Sequence, residues 1–196
     1  PADGEKAVAN SNKGTDSSSS TDSSAPQPAV VPEEDLYPEV VFKTSLGKFT
    51  VRLDRAKARA TSDNFLQNYV DRQAYDNTIF HRVMPGFVVQ GGGYTEAIEE
   101  RELFPPIINE SGNGLQNLPM TIAMARYDDP HSATNQFYFN LAANSSLDPN
   151  SRSWGYAVFG KVIEGMEVVD AINQVPVDDG DWPMRNIYIL KAEVLE

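Results

Sequence analysis

From Glu39 onward, apolar and polar residues alternate in short segments with the two-residue period of β-strands. Val40-Val41-Phe42-Lys43-Thr44 and Phe49-Thr50-Val51-Arg52-Leu53, joined through Ser45-Leu46-Gly47-Lys48, predict a β-hairpin. Residues 79–90 predict a second hairpin, turning at Pro85-Gly86. Further strands are expected at 120–125, 136–141, 156–162 and 187–194. Helical spacing occurs twice. Phe65, Leu66, Tyr69 and Val70 follow the cap candidates Thr61-Ser62-Asp63, and Met166, Val169, Ala171 and Ile172 mark a second helix. Residues 94–114, Asp128-Asp129-Pro130 and 144–153 read as irregular, with Glu99-Glu100-Arg101-Glu102 as a solvated face. Seven or eight short strands, two helices and no internal repeat give a mainly β fold, an antiparallel barrel that is closed or nearly so.

The chain before this pattern is of another kind. Residues 1–37 hold Ser17-Ser18-Ser19-Ser20, Ser23-Ser24, Pro26, Pro28 and Pro32, an excess of acids, and no aromatic before Tyr37. Such a stretch buries too little apolar surface to offset its ordering entropy and reads as an acidic tail or tether, with 38–196 as the folded domain. A segment that folds on binding is the competing reading. The sequence starts at Pro1 rather than methionine, and a Ser-rich spacer ahead of a domain suits an exported protein. The expectation is a periplasmic or envelope location, with a lipid tether upstream of Pro1 as one arrangement.

Composition narrows the function classes. There are 28 acidic against 16 basic residues, a formal net charge of −12, which argues against nucleic acid and against anionic membrane surfaces as partners. No cysteine is present, so thiolate chemistry and Cys-based metal sites are excluded. No run reaches the ~20 apolar residues of a membrane-spanning helix. His81 and His131 are the only histidines, neither has carboxylates at ligand spacing, and His81 reads as structural. Gly91-Gly92-Gly93 lacks the lysine of a phosphate loop. No cofactor or metal is expected, and nothing in the pattern asks for more than a monomer.

The most informative stretch is Phe80-His81-Arg82-Val83-Met84-Pro85-Gly86-Phe87-Val88-Val89-Gln90-Gly91-Gly92. A turn centred on Gly86 sets Arg82 opposite Gln90, and opposed residues share a face of the sheet. A cation with five donors and an amide would then share one space beside the apolar Phe87, while the glycines admit close approach to the backbone. An apolar patch carrying a few convergent donors is the general form of a binding site.

This stretch resembles the signature of the cyclophilins, the cyclosporin-type peptidyl-prolyl cis/trans isomerases. Gln136-Phe137-Tyr138-Phe139 and Val158-Phe159-Gly160-Lys161-Val162-Ile163-Glu164-Gly165-Met166 match the same family in the same order, and Pro130-His131-Ser132-Ala133-Thr134 resembles its bacterial branch. The resemblance covers roughly residues 39–196 and implies an eight-stranded closed antiparallel β-barrel capped by two α-helices. It also implies acceleration of X-Pro bond rotation in unfolded or newly exported proteins. That reaction breaks no bond. The amide resists twisting with a barrier of ~18–20 kcal/mol, and a catalyst need only favour the twisted state.

By the resemblance, Arg82 is the catalytic residue, a permanent cation with donors for the lone pair that the prolyl nitrogen gains on twisting. Its bland alternative is a surface arginine paired with a carboxylate. Gln90, Gln136 and Arg126 fall where the family holds the substrate backbone. Phe87, Val88, Ala125, Tyr138, Leu147 and Tyr156 fall where it lines the proline pocket. Tyr138 stands in place of the usual phenylalanine, so its hydroxyl must find a partner or protrude. Tyr156 replaces a histidine, Arg126 an asparagine, and Ser146 the tryptophan of cyclosporin-sensitive members, so cyclosporin binding is expected to be weak. The rival from another class is a proline-peptide binding module or chaperone whose catalysis is incidental.

Overall fold

In the computed structural model, which describes residues 32–195, eight antiparallel strands close on themselves in the order β1-β2-β7-β5-β6-β4-β3-β8. They are β1 (Glu39–Thr44), β2 (Gly47–Leu53), β3 (Thr78–Met84), β4 (Val88–Thr95), β5 (Thr121–Met124), β6 (Phe137–Asn140), β7 (Val158–Glu164) and β8 (Tyr188–Val194). Both expected hairpins form. β1 pairs with β2 from Glu39↔Arg52 to Thr44↔Gly47, and β3 with β4 from Thr78↔Thr95 to Met84↔Val88. Most of the tail assigned to residues 1–37 lies outside the described residues. Its last part carries a single helical turn, α1 (Glu33–Leu36), and the Leu36 carbonyl accepts a 2.9 Å hydrogen bond from Arg55 N–H.

Closure leaves one face of each strand inside, and that interior is filled by aromatic rings. Phe137 is central. Its ring meets those of Phe42, Phe65, Tyr75, Phe80 and Phe139 edge-on, with centroids 5.1–6.4 Å apart. Phe49 and Phe159 complete a core in which none of these rings is more than 1% exposed. Edge-to-face pairs add to the stabilisation from burying the rings themselves. The packing requires side chains to lie on the backbone of β4. A Cβ on Gly91 would stand 2.8 Å from Phe80, and one on Gly92, where φ is +88°, would stand 2.8 Å from Phe137.

Two helices add their apolar faces to this core. α3 (Met166–Asn173) buries Val168, Val169 and Ile172. α2 (Arg59–Asp63) continues as a π-helical segment, Asn64–Val70, that buries Phe65, Tyr69 and Val70. The sequence expectation errs at the start of this helix. Thr61, Ser62 and Asp63 lie within it, and its free N–H groups are taken by a distant carboxylate. Glu110 accepts from Ala60 N–H (3.2 Å), Thr61 N–H (2.8 Å) and the Thr61 hydroxyl (2.6 Å). An acidic cap also suits the positive end of the helix. Arg101 departs from the expected solvated face too, because it turns inward and donates through Nη2 to the Asp76 carbonyl (2.6 Å).

Because Phe137 touches five rings in a closed interior, Phe137→Ala is expected to destabilise the domain by about 3–5 kcal/mol. Urea unfolding should show a lower midpoint with an unchanged slope.

Candidate active site

The outer face of the barrel carries a second, smaller apolar cluster. Val88, Ala123, Tyr138 and Val158 are its buried members, with Met84, Phe87, Leu115, Ala125, Leu147 and Tyr156 packed against them. Strand register explains how they meet. Arg82 pairs with Gln90, Gln90 with Tyr138, Tyr138 with Ala123, and Ala123 with Val158. Directly opposed residues share a face, so one row crosses β3, β4, β6, β5 and β7, cationic at one end and apolar at the other. Period-two neighbours in the chain, Met84 and Val88 within β3 and β4 and Gln136, Ala125 and Tyr156 just beyond the ends of β6, β5 and β7, widen the row into a surface.

All six residues expected to line the pocket belong to this cluster, with Val88 and Tyr138 buried and the other four partly so. Tyr138 and Tyr156 meet edge-on, with ring centroids 5.9 Å apart. The guanidinium carbon of Arg126 lies 4.6 Å from the centre of the Tyr156 ring, a cation–π contact that walls the pocket. Two of the Arg126 nitrogens are already engaged, Nε with the Gly155 carbonyl (3.0 Å) and Nη1 with that of Tyr127 (2.8 Å). Gln90 Nε2 donates to Gln136 Oε1 at 2.8 Å. Gln136 lies so close over β4 that a Cβ on Gly93 would approach its amide to 2.7 Å.

Arg82 is half-exposed. Its Nε lies 3.7 Å from the Asp181 carboxylate, and the guanidinium donates no hydrogen bond to any described residue. A pair so exposed and so long contributes little energy, and it leaves the fork free to meet another acceptor. The arginine therefore has a carboxylate neighbour and unspent donors at once.

The hydroxyl of Tyr138 does find a partner. It donates to Asn117 Oδ1 at 2.8 Å, and its burial raises its pKa well above the ordinary phenol value. Asn117 is anchored in turn, donating through its backbone N–H (2.7 Å) and Nδ2 (2.9 Å) to Asp148 Oδ1. Asn140 Nδ2 donates to Asn117 Oδ1 (3.0 Å) and Thr121 Oγ1 (2.9 Å). Asn144 Nδ2 reaches Asn140 Oδ1 (2.8 Å) and the Phe87 carbonyl (2.8 Å). This chain of amides ties the pocket floor to the loop of Leu147 and to the tip of the β3–β4 hairpin. Sequence reasoning missed Asn117, Asn140, Asn144 and Asp148, along with Ala123, Val158, Met84 and Leu115. Alternation could have found Asn140 from Tyr138, Ala123 from Ala125, and Val158 from Tyr156. Asn117 and Leu115 had no local signal.

A cavity of about 1310 Å³, lined by Tyr37, Arg52, Leu118, Lys161 and Leu195 among others, meets the outer apolar cluster at Leu115 and Val158. It carries neither Arg82 nor the Gln90–Gln136 pair, so the convergent polar groups single out the row from Arg82 to Val158 as the candidate site. Among the described residues, no three His, Cys, Asp or Glu side chains gather into a metal-binding group. No helix among the described residues is long and apolar enough to cross a membrane.

His81 lies buried beside Arg82, between the rings of Tyr94 (4.8 Å) and Trp182 (5.9 Å). Burial first, and the neighbouring Arg82 charge second, depress its pKa to about 4 from the ordinary 6.5. In the unfolded chain it takes a proton near pH 6.5, which the native site refuses until about pH 4. Stability from neutral His81 is thus complete above pH 6.5 and lost as pH falls to 4, by roughly 3 kcal/mol. Denaturation of native protein and His81→Phe between pH 7 and 4 should show the variant lacking that share of acid destabilisation.

Comparison with known proteins agrees with this geometry. The family profile described as cyclophilin type peptidyl-prolyl cis-trans isomerase/CLD matches residues 39–194. Peptidyl-prolyl cis-trans isomerase A of Dickeya dadantii (strain 3937) is 45% identical over 161 residues, 80% of this chain and 84% of the relative. Peptidyl-prolyl cis-trans isomerase B of Escherichia coli (strain K12) is 45% identical over 164 residues, 80% of this chain and 99% of the relative. A Cryptosporidium parvum cyclophilin, crystallised in the presence of the dipeptide Ala-Pro, superposes with a TM-score of 0.69 at 23% identity. That superposition covers 81% of this chain and 99% of the other and shows a shared fold. With its closed barrel, its outer row from Arg82 to Val158 and these relatives, the chain belongs to the cyclophilin-type peptidyl-prolyl cis-trans isomerases.

Proposed function

We propose that Arg82 is the catalytic residue of this isomerase and that the outer apolar cluster seats the proline ring. The observation that carries this reading is the row of opposed residues Arg82, Gln90, Tyr138, Ala123 and Val158. A proline ring on the apolar end of that row turns its amide nitrogen toward the cationic end. As the amide twists, the nitrogen becomes pyramidal and gains a lone pair, and a guanidinium N–H donates to it. The donor is strongest for the twisted state and weak for either planar isomer, which is the condition for lowering a barrier. An apolar seat further favours the less polar twisted amide.

The paired glutamines suit an extended polypeptide. Their mutual bond uses one donor and one acceptor, leaving Gln90 Oε1 to accept from a substrate N–H and Gln136 Nε2 to donate to a carbonyl. Arg126 keeps Nη2 for the same purpose, its Nε and Nη1 being committed to Gly155 and Tyr127. The substrates are X-Pro segments of unfolded or newly exported proteins, in the periplasm or cell envelope. The acidic, Ser- and Pro-rich composition of residues 1–37 supports that location.

Arg82→Ala is expected to lose about a hundredfold or more of the acceleration on a short X-Pro peptide while its circular dichroism is unchanged. Full activity in that folded variant would remove Arg82 from the mechanism. Cyclosporin is expected to inhibit weakly, since the exposed Ser146 offers no aromatic surface at the place the ligand would need one. Submicromolar inhibition would contradict this assignment.

A further inference from the structure

The barrel closes unevenly at the strand that carries Arg82. β3 pairs with β8 only at Thr78↔Ile189 and Ile79↔Tyr188, and one more bond runs from Phe80 N–H to the Ile187 carbonyl. Beyond that point the edge of β3 is covered by a loop. Val83 N–H donates to the Asp181 carbonyl at 2.8 Å, so the backbone of Asp181 continues the ladder where β8 has left off. The same residue places its carboxylate 3.7 Å from Arg82 Nε.

The loop is built to hold that position. Asp178 Oδ1 accepts from Gly180 N–H and Trp182 N–H, both at 2.9 Å, and Asp178 N–H donates to the Trp182 carbonyl at 2.9 Å. A bridge between Val177 and Pro183 closes its base. The Trp182 ring packs on His81, the residue preceding Arg82. Asp181 itself has φ +64°, in the left-handed region that aspartate and asparagine tolerate better than most side chains. On the other side, the hairpin tip is tethered to α3 by Gly86 N–H donating to Asn173 Oδ1 (2.9 Å).

We infer that Asp181 is a positioning residue, whose carboxylate, fixed by the closure of the barrel, orients the Arg82 guanidinium toward the prolyl nitrogen. The inference rests on the catalytic role proposed for Arg82. Attraction at the Nε side restrains a half-exposed side chain with many rotamers and leaves the terminal nitrogens for substrate. Holding a donor within a narrow range of orientations raises the fraction of bound substrate that meets it, so the gain falls on turnover rather than on binding.

Asp181→Asn removes the charge while keeping shape, left-handed backbone and the carbonyl that Val83 uses. Its kcat on a short X-Pro peptide should fall about two- to fivefold with KM unchanged, the range open to an exposed ion pair. Salt separates orientation from a structural effect. At 1 M ionic strength, where the screening length is about 3 Å, native kcat should fall toward that of the variant, which stays flat. The Arg82 Nε–H resonance, observable by nitrogen-15 NMR in the native protein, should broaden or shift in Asp181→Asn. The Asp181→Asn effect should also vanish when introduced into Arg82→Lys. A variant with native kcat, or one whose deficit ignores both salt and the Arg82→Lys background, overturns the positioning role. Full activity of Arg82→Ala would instead overturn the reading of Arg82 on which it stands.

Discussion

The close approach of side chains to the backbone of β4 is the constraint on which both faces of the barrel depend. Gly91 and Gly92 let Phe80 and Phe137 approach the strand from the aromatic core, and Gly93 lets Gln136 approach it from the candidate site. A methyl group at any of the three would meet a neighbour at under 3 Å, pushing apart strands that hold the register. Once β4 lies that close to β3 and β6, Gln90 stands between Arg82 and Tyr138. The aromatic interior and the row from Arg82 to Val158 are therefore two consequences of one packing condition.

The site built on this register divides its polar groups by purpose. Those that fix shape are satisfied within the protein: Tyr138 on Asn117, Asn117 on Asp148, and Asn144 on Asn140 and Phe87. In a buried setting an unpaired amide is costly, so a chain of satisfied ones holds its members in one arrangement. The groups left unspent are the Arg82 donors and one acceptor and donor on the glutamine pair, those the proposed mechanism uses. Rotation about a prolyl amide breaks no bond and so needs no nucleophile. His81, kept neutral by burial beside Arg82, adds no second positive charge to the site above about pH 4.

Barrel closure also brings chemistry from far along the chain. Residues 177–183 cover the edge of β3 where β8 stops, and so carry Asp181 to Arg82 across nearly a hundred positions of sequence. Glu110 acts likewise at the start of α2, where a carboxylate about fifty residues away does the work expected of a local cap. Each case has the same cause. A backbone group left open at an edge or helix end takes whatever partner the tertiary fold delivers, and proximity in sequence has no bearing on it.

What the sequence determined by itself follows from short-range rules. Period-two alternation placed the strands, and the Pro85-Gly86 turn placed Arg82 opposite Gln90, because a hairpin's register is set by its own turn. The motif blocks then indicated the family, and with it the residues proposed for the pocket and the arginine proposed for catalysis. Only the tertiary structure decided that Tyr138 would bury its hydroxyl on Asn117 and that Arg101 would turn inward. It alone decided that Glu110 would cap α2 and that Asp181 would face Arg82. Those contacts join segments that share no turn, helix or hairpin, so no local pattern encodes them. They exist because closing eight strands around one aromatic core brings distant polar groups within reach of one another.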